Sequence, residues 1–234
     1  MDALFAVQDE DVARGQLEHR QSHLPERTAL DEAEATRQDT VTEVGRIGLE
    51  RLDHSRRQKR YEGEVVAVEA RLADLDGKLY GGAITSPKEA TSLQDEMIRL
   101  RKRQDDLEGQ VLEIMELIEP LDAELLVLAA AGESQDAIVV AARTLLDETE
   151  AAIVDDLAAS AERRSAAVAE VPDEVFARYE KGRSFFGSSA VVRFSGSDCS
   201  GCPYSMPAVE ADRVKSMEAG TLTDCSECGR LVVR

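Results

Sequence analysis

The chain has 234 residues, with 28 Lys and Arg against 47 Asp and Glu, a formal charge of −19, no Trp and 4% aromatic residues. That length allows one large or two small domains, and so few aromatic side chains argue against a compact core of that size. The acid excess argues against a protein that coats nucleic acid through bulk charge, while abundant Ala, Leu, Glu and Arg point to long helices. No uninterrupted apolar run approaches the ~20 residues of a membrane span. The first residues, Met1-Asp-Ala-Leu-Phe5, lack the basic region of a secretory signal. A cytoplasmic protein with no membrane contact is therefore expected.

A first amphipathic helix is predicted over roughly residues 2–22, ending before Leu24-Pro25-Glu26. It should fold back on the base of a hairpin formed by the next two helices, through Leu4, Phe5, Val12 and Leu17. The first of those helices carries an apolar seam: Val44, Ile47, then a polar stretch at Arg51, His54 and Gln58, then Tyr61, Val65, Val68, Leu72, Leu75 and Leu79. A reversal is predicted at residues 80–86, where Gly81 and Gly82 permit the turn. Ser86, Pro87 and Glu89 then read as N-cap, N1 and N3 of a new helix.

The returning helix has a heptad of its own. Leu93, Met97, Leu100, Gln104, Leu107, Val111, Ile114, Ile118, Leu121, Leu125 and Leu128 recur at 4-3 spacing, and all but Gln104 are apolar. Such a seam belongs to a coiled coil. It weakens at Gly132 and Gln135 and resumes at Val139, Ala142, Leu146 and Ile153. Pro120 should kink this helix without breaking it, because the register runs through it. The two seams predict a long antiparallel helical hairpin, closed within one chain or as a coiled-coil dimer. Helices of ~50 residues would run ~75 Å at ~1.5 Å per residue.

Val171-Pro172-Asp173-Glu174 stops the long helix and starts another, over about 172–182. Residues 190–194 and 231–233 have strand character and should be outer strands around two cysteine turns. The domain reading is thus 1–170 for the first helix and hairpin, 171–189 for a connector, and 190–234 for a small β module.

All four cysteines lie in that module. Cys199-x2-Cys202 and Cys225-x2-Cys228 are separated by 22 residues. A two-residue gap lets two thiolates meet one ion from a tight turn, and two such turns complete a tetrahedral S₄ site for Zn²⁺. Clustering in a cytosolic-looking chain disfavours disulfides, and the doubled motif disfavours redox chemistry. Four thiolates leave no position for water, so the metal would be one structural zinc.

No catalytic constellation is evident. His19, His23 and His54 lie on predicted helices or their ends with no plausible cysteine or serine nucleophile nearby, and Gly81-Gly82 lacks the Lys-Ser/Thr that completes a phosphate loop.

Three surfaces are candidates for partners. The first is the tip, with Tyr80, Ile84, Ser86, Pro87 and Lys88; it would either dock a protein or plug the hairpin end. The second is a basic collar of Arg56, Arg57, Lys59 and Arg60 with Arg99, Arg101, Lys102 and Arg103, which hairpin closure brings within about two helical turns. It would grip an anion or nucleic acid, or be a solvated belt paired with nearby acids. The third is the ribbon, whose candidate contacts are Arg213, Lys215 and Arg230. Five basic residues against six acidic ones give that module no clear nucleic-acid footprint.

Leu24-Pro25-Glu26-Arg27, the tip Leu79-Tyr-Gly-Gly82 with Ser86-Pro-Lys-Glu89, and Cys199-Ser-Gly-Cys202 with Cys225-Ser-Glu-Cys-Gly-Arg-Leu231 together resemble the FlgZ-like zinc-ribbon family, bacterial coiled-coil hairpins with a C-terminal C4-type ribbon. The high Ala, Arg, Asp and Glu usage looks like an actinobacterial member. The resemblance implies a mainly α, elongated, non-enzymatic protein that binds transcription or secretion partners, with a ribbon often associated with nucleic acid. An adaptor is the first reading and a nucleic-acid-binding regulator the second.

Overall fold

A computed structural model describes residues 1–82 and 84–234. Four helices come first: α1 (Asp2–Ser22), α2 (Pro25–Tyr80), α3 (Pro87–Ala169) and α4 (Asp173–Phe186). After a 3-10 turn at Gly187–Ser189 come β1 (Val191–Arg193), α5 (Ala208–Ser216), β2 (Leu222–Asp224) and β3 (Leu231–Val233). The chain forms two compact units: Ala29–Ala142, and Met1–Thr28 together with Arg143–Arg234.

The first unit is the hairpin. Its seam residues turn inward as the heptad requires: Ile47, Leu75, Met97, Leu107 and Ile114 are all buried. Ion pairs fix the antiparallel direction, because one partner's number falls as the other's rises. Arg71 meets Glu96 at 2.9 Å, Arg103 meets Glu64 at 2.8 Å, Arg51 meets Asp122 at 2.6 Å and Arg37 meets Asp136 at 2.5 Å. These exposed pairs set register and add little stability each.

α3 passes through Pro120 unbroken. Among the described residues, the polar seam residue His54 has no hydrogen-bond partner for its buried Nδ1, nor has Gln135 for its Oε1.

One 18-residue stretch of α3 reaches a mean hydropathy of 1.5 with no more than two charged residues, so α3 is long and apolar enough by those measures to cross a membrane. Scattered acids hide this stretch from a search for uninterrupted apolar runs.

The second unit is built on a three-stranded sheet of order β1-β3-β2. Leu231–Val233, expected at an outer position, is the central strand. It pairs parallel with β1 (Val191 opposite Leu231) and antiparallel with β2 (Leu222 opposite Val233). Successive strand residues point to opposite faces, and the sheet uses both. Val191 and Leu231 join a core with Leu4, Val7, Val171, Tyr179 and Ala190, while Val192 and Val232 join one with Met206, Ala211, Val214 and the cysteines. The expected fold-back of α1 thus takes place, with Leu4 and Val7 as the deepest residues and Phe5, Val12 and Leu17 half-buried.

Buried Gln8 completes the edge of β1. Its side-chain amide donates to the Val191 carbonyl at 2.9 Å and accepts from the Val191 N–H at 2.7 Å, replacing a missing strand. α4 runs past its expected end at Gly182 and stops at Gly187, whose φ of 54° suits glycine.

Candidate metal centre and interaction surfaces

Two short turns present the cysteines. The Cys202 N–H donates to the Cys199 carbonyl at 3.1 Å, and the Gly229 N–H donates to the Cys225 carbonyl at 2.9 Å. Gly229 sits at φ 76°, a backbone position that disfavours any side chain. Neighbouring bonds brace the turns. The Cys225 N–H donates to the Arg230 carbonyl at 2.8 Å, and the Met206 N–H donates to an Asp198 carboxylate oxygen at 2.9 Å.

The cysteines are free thiols, Cys199 and Cys225 buried and Cys202 and Cys228 half-buried. The sulfurs of Cys199, Cys225 and Cys228 all lie within 4.8 Å of one another, a group that could hold a metal ion. Cys199 Sγ and Cys228 Sγ are 3.8 Å apart. A Zn–S bond of ~2.3 Å gives a tetrahedral S···S edge of ~3.8 Å, whereas a disulfide holds its sulfurs at ~2.05 Å. Three of the four expected ligands therefore converge at metal-site spacing. Cys202 stands beside them, its thiol interacting with that of Cys228.

The thiols divide electrostatically. Burial pushes the Cys199 thiol up to about 12. At Cys202 a hydrogen bond from the Tyr204 backbone pulls downward, but burial and the Cys228 thiol outweigh it and leave the thiol raised. Burial also opposes ionisation of Cys228. There it is overcome by hydrogen bonds from the backbone and guanidinium of Arg230 and from the Cys225 and Cys199 thiols, which bring Cys228 to about 7. One thiolate is thus favoured near neutral pH, and a cation would draw the protons from the others.

At the tip, the Ser86 carbonyl accepts from the N–H groups of Glu89 and Ala90, as the N-cap of α3 should. At Gly81, a Cβ would lie 2.4 Å from the Gly77 carbonyl oxygen, and Gly82 has φ 78°, so both glycines are required for the reversal. Ala83, within the expected tip, lies outside the described residues. Tyr80 is 75% exposed, so it does not plug the hairpin end. Ile84 is half-buried, and Ser86, Pro87 and Lys88 are exposed.

The basic residues are more occupied than their count suggests. In the collar, Arg103 pairs with Glu64 and Arg60 lies over the Tyr61 ring at 4.9 Å, while Arg56, Arg57, Lys59, Arg99, Arg101 and Lys102 are exposed. In the ribbon, Arg213 pairs with Glu210 and Lys215 with Asp212. Arg230 donates to the Ser189 carbonyl at 3.0 Å and covers the Phe186 ring at 4.8 Å.

Sequence reasoning passed over a charged joint at the other face of this unit. Asp11 accepts from Tyr179 Oη at 2.8 Å, from Arg164 Nε at 2.8 Å and from Arg183 at 3.3 Å, joining α1, α3 and α4. Leu4, Val7, Gln8 and Asp11 recur at helical spacing, so Gln8 and Asp11 continue the buried stripe of α1.

The model of the CT398-like coiled coil hairpin domain matches residues 7–187, most of the chain. The chain belongs to the CT398-like coiled-coil hairpin family. CT398 of Chlamydia trachomatis itself has a solved structure that superposes with a TM-score of 0.62 at 20% identity, over 99% of this chain and 97% of that one, a likeness of fold. A solved structure from Mycobacterium smegmatis is similar at a TM-score of 0.81 and 25% identity, over 100% of this chain and 97% of that one. An uncharacterized protein of Mycobacterium tuberculosis is 28% identical over 96% of this chain and 91% of its own length. The match to the CT398-like hairpin domain ends before Cys199, so the cysteine module lies outside it.

Proposed function

We propose that the chain is a cytoplasmic, non-enzymatic adaptor. Its hairpin presents a docking tip, and one structural Zn²⁺ on Cys199, Cys202, Cys225 and Cys228 holds a C-terminal recognition module of the FlgZ-like ribbon type. The observation that carries the docking role is Tyr80, a large aromatic side chain 75% exposed beside the two required glycines. Binding residues are disproportionately carried on exposed turns held by a rigid scaffold, and a hairpin that presents such a turn matches an adaptor. The zinc is supported by the 3.8 Å S···S spacing and by the thin core on the cysteine face of the sheet, where the buried apolar side chains besides the cysteines are Val192, Met206, Ala211, Val214 and Val232. In this reading the apolar stretch of α3 serves the hairpin seam through Leu125, Leu128, Val139 and Ala142.

The test is affinity capture from native lysate with wild type and with Tyr80→Ala/Ile84→Ala, each with and without nuclease. A protein that survives nuclease and is lost with the double substitution is the expected result. Recovery of nucleic acid instead, with every protein lost after nuclease, would overturn it. That outcome would favour a nucleic-acid-binding regulator acting through the collar and ribbon, whose binding should then fall steeply with salt.

A further inference from the structure

A two-stranded coiled coil needs apolar residues at two positions of each heptad. A third, adjacent apolar position is what a helix uses to meet a second neighbour. The hairpin carries that third position along part of its length. Val65 is followed by Val66, Met97 by Ile98 and Val111 by Leu112. The first member of each pair is turned inward, and the second is open to solvent: Val66 is 63% exposed and Leu112 is 61% exposed. Val66 on α2 and Leu112 on α3 line one groove of 430 Å³, together with Val65, Val111, Glu62 and Glu108.

The rim defines the occupant. Glu62 accepts from the Gln58 amide and Glu108 from the Gln104 amide, each at 2.8 Å. Both donors are neutral, so neither carboxylate loses its charge. The heptad line through Leu112 continues the theme: Ile98, Asp105, Leu112, Glu119, Leu126 and Glu133 alternate apolar with acidic, and all are exposed. At ~1.5 Å per residue, an apolar contact recurs every ~21 Å with an acid midway. A second copy of the chain would bring a further charge of −19 and set like charges along its path. A helix with apolar residues between lysines or arginines meets the groove with opposite charge.

We infer that the α2–α3 groove at Val66 and Leu112 docks a basic amphipathic helix of a partner protein, which packs as a third helix along the hairpin. The site is separate from the tip and the cysteine module and stands whether or not those bind.

The test uses the full chain and a fluorescent synthetic helical peptide with leucines at heptad spacing flanked by lysines. The matched control peptide has glutamates in place of the lysines. The lysine peptide should bind and the glutamate peptide should not. Leu112→Arg, and independently Val66→Arg, should weaken binding by about tenfold or more. Leu49→Arg adds the same charge at a 70% exposed α2 residue that does not line the groove, and should change binding by less than about twofold. Because the substituted residues are exposed, unchanged circular dichroism is expected throughout. Equal weakening by all three variants would overturn the inference, since bulk charge alone would then explain binding. So would failure of the lysine peptide to bind, or a wild-type dimer in sedimentation that Leu112→Arg dissociates, since a second copy would then cover the groove.

Discussion

Cys225→Ser is expected to unfold the cysteine turns and α5 and to leave the hairpin helices intact, while β1 and β3 keep the packing of Val191 and Leu231 on Leu4, Val7 and Tyr179. Cys225 is 3% exposed and Cys199 is 2% exposed, so the thiols form the centre of their own core. The apolar residues buried with them are few and mostly small: Val192, Met206, Ala211, Val214 and Val232. Such a core is thin support for the cysteine turns and α5, whereas a structural zinc site supplies about 10–16 kcal/mol of apparent binding energy. Serine is a poor ligand for zinc and would leave a hydroxyl in the buried cluster. Amide protection in α5 and the cysteine turns should collapse. Far-UV circular dichroism should change little, because α5 has nine residues and α3 has 83. Retained protection in α5, or loss of the helical signal, would contradict this.

Asp11→Ala should cost about 2–4 kcal/mol. Breaking a buried charged pair costs about 3–5 kcal/mol, and the lower figure reflects the access that Arg164 and Arg183 keep to water, with side chains 23% and 42% exposed. Arg164 also retains Glu180 at 2.6 Å. The larger loss falls on Tyr179, which is fully buried and would keep a hydroxyl with no acceptor. Faster hydrogen exchange in α1 and α4 checks this, and wild-type protection would contradict it.

The same residue carries a pH dependence. Burial pushes the Asp11 carboxyl up, but hydrogen bonds from Arg164 and Tyr179 and the nearby guanidinium charges outweigh it and hold the carboxyl below its ordinary value. Its stabilisation is therefore present above the unfolded carboxyl value of ~3.9 and lost as pH falls through the folded one. In Asp11→Ala that part of the acid sensitivity should vanish.

The hairpin was legible because its determinants are local and repeated. One heptad register places Met97, Leu107 and Ile114 inward together, and Gly81, Gly82 and Pro87 mark the turn by backbone chemistry alone. The cysteine group was legible from spacing. What escaped depends on contacts distant in sequence. Gln8 looks like a surface residue until Val191 is beside it, 183 positions away. β2 is three residues long, and Leu222-Thr-Asp224 has no strand period to detect. α5 has a start signal at Pro207, the residue before its first turn, but sits between two cysteine turns in a stretch that reads as loop. The central place of β3 comes from parallel pairing with β1, which no local pattern encodes. The groove was visible as the doublets Val65-Val66 and Val111-Leu112, which a count of seam positions alone passes over.

That four thiolates and one metal hold the C-terminal module is tested most directly by metal content per chain, measured by native mass spectrometry with thiol titration before and after chelation. One zinc per chain is expected, with thiols protected until a chelator removes it and four reactive thiols thereafter. A metal-free folded chain, or one whose cysteines titrate as disulfides, would contradict it.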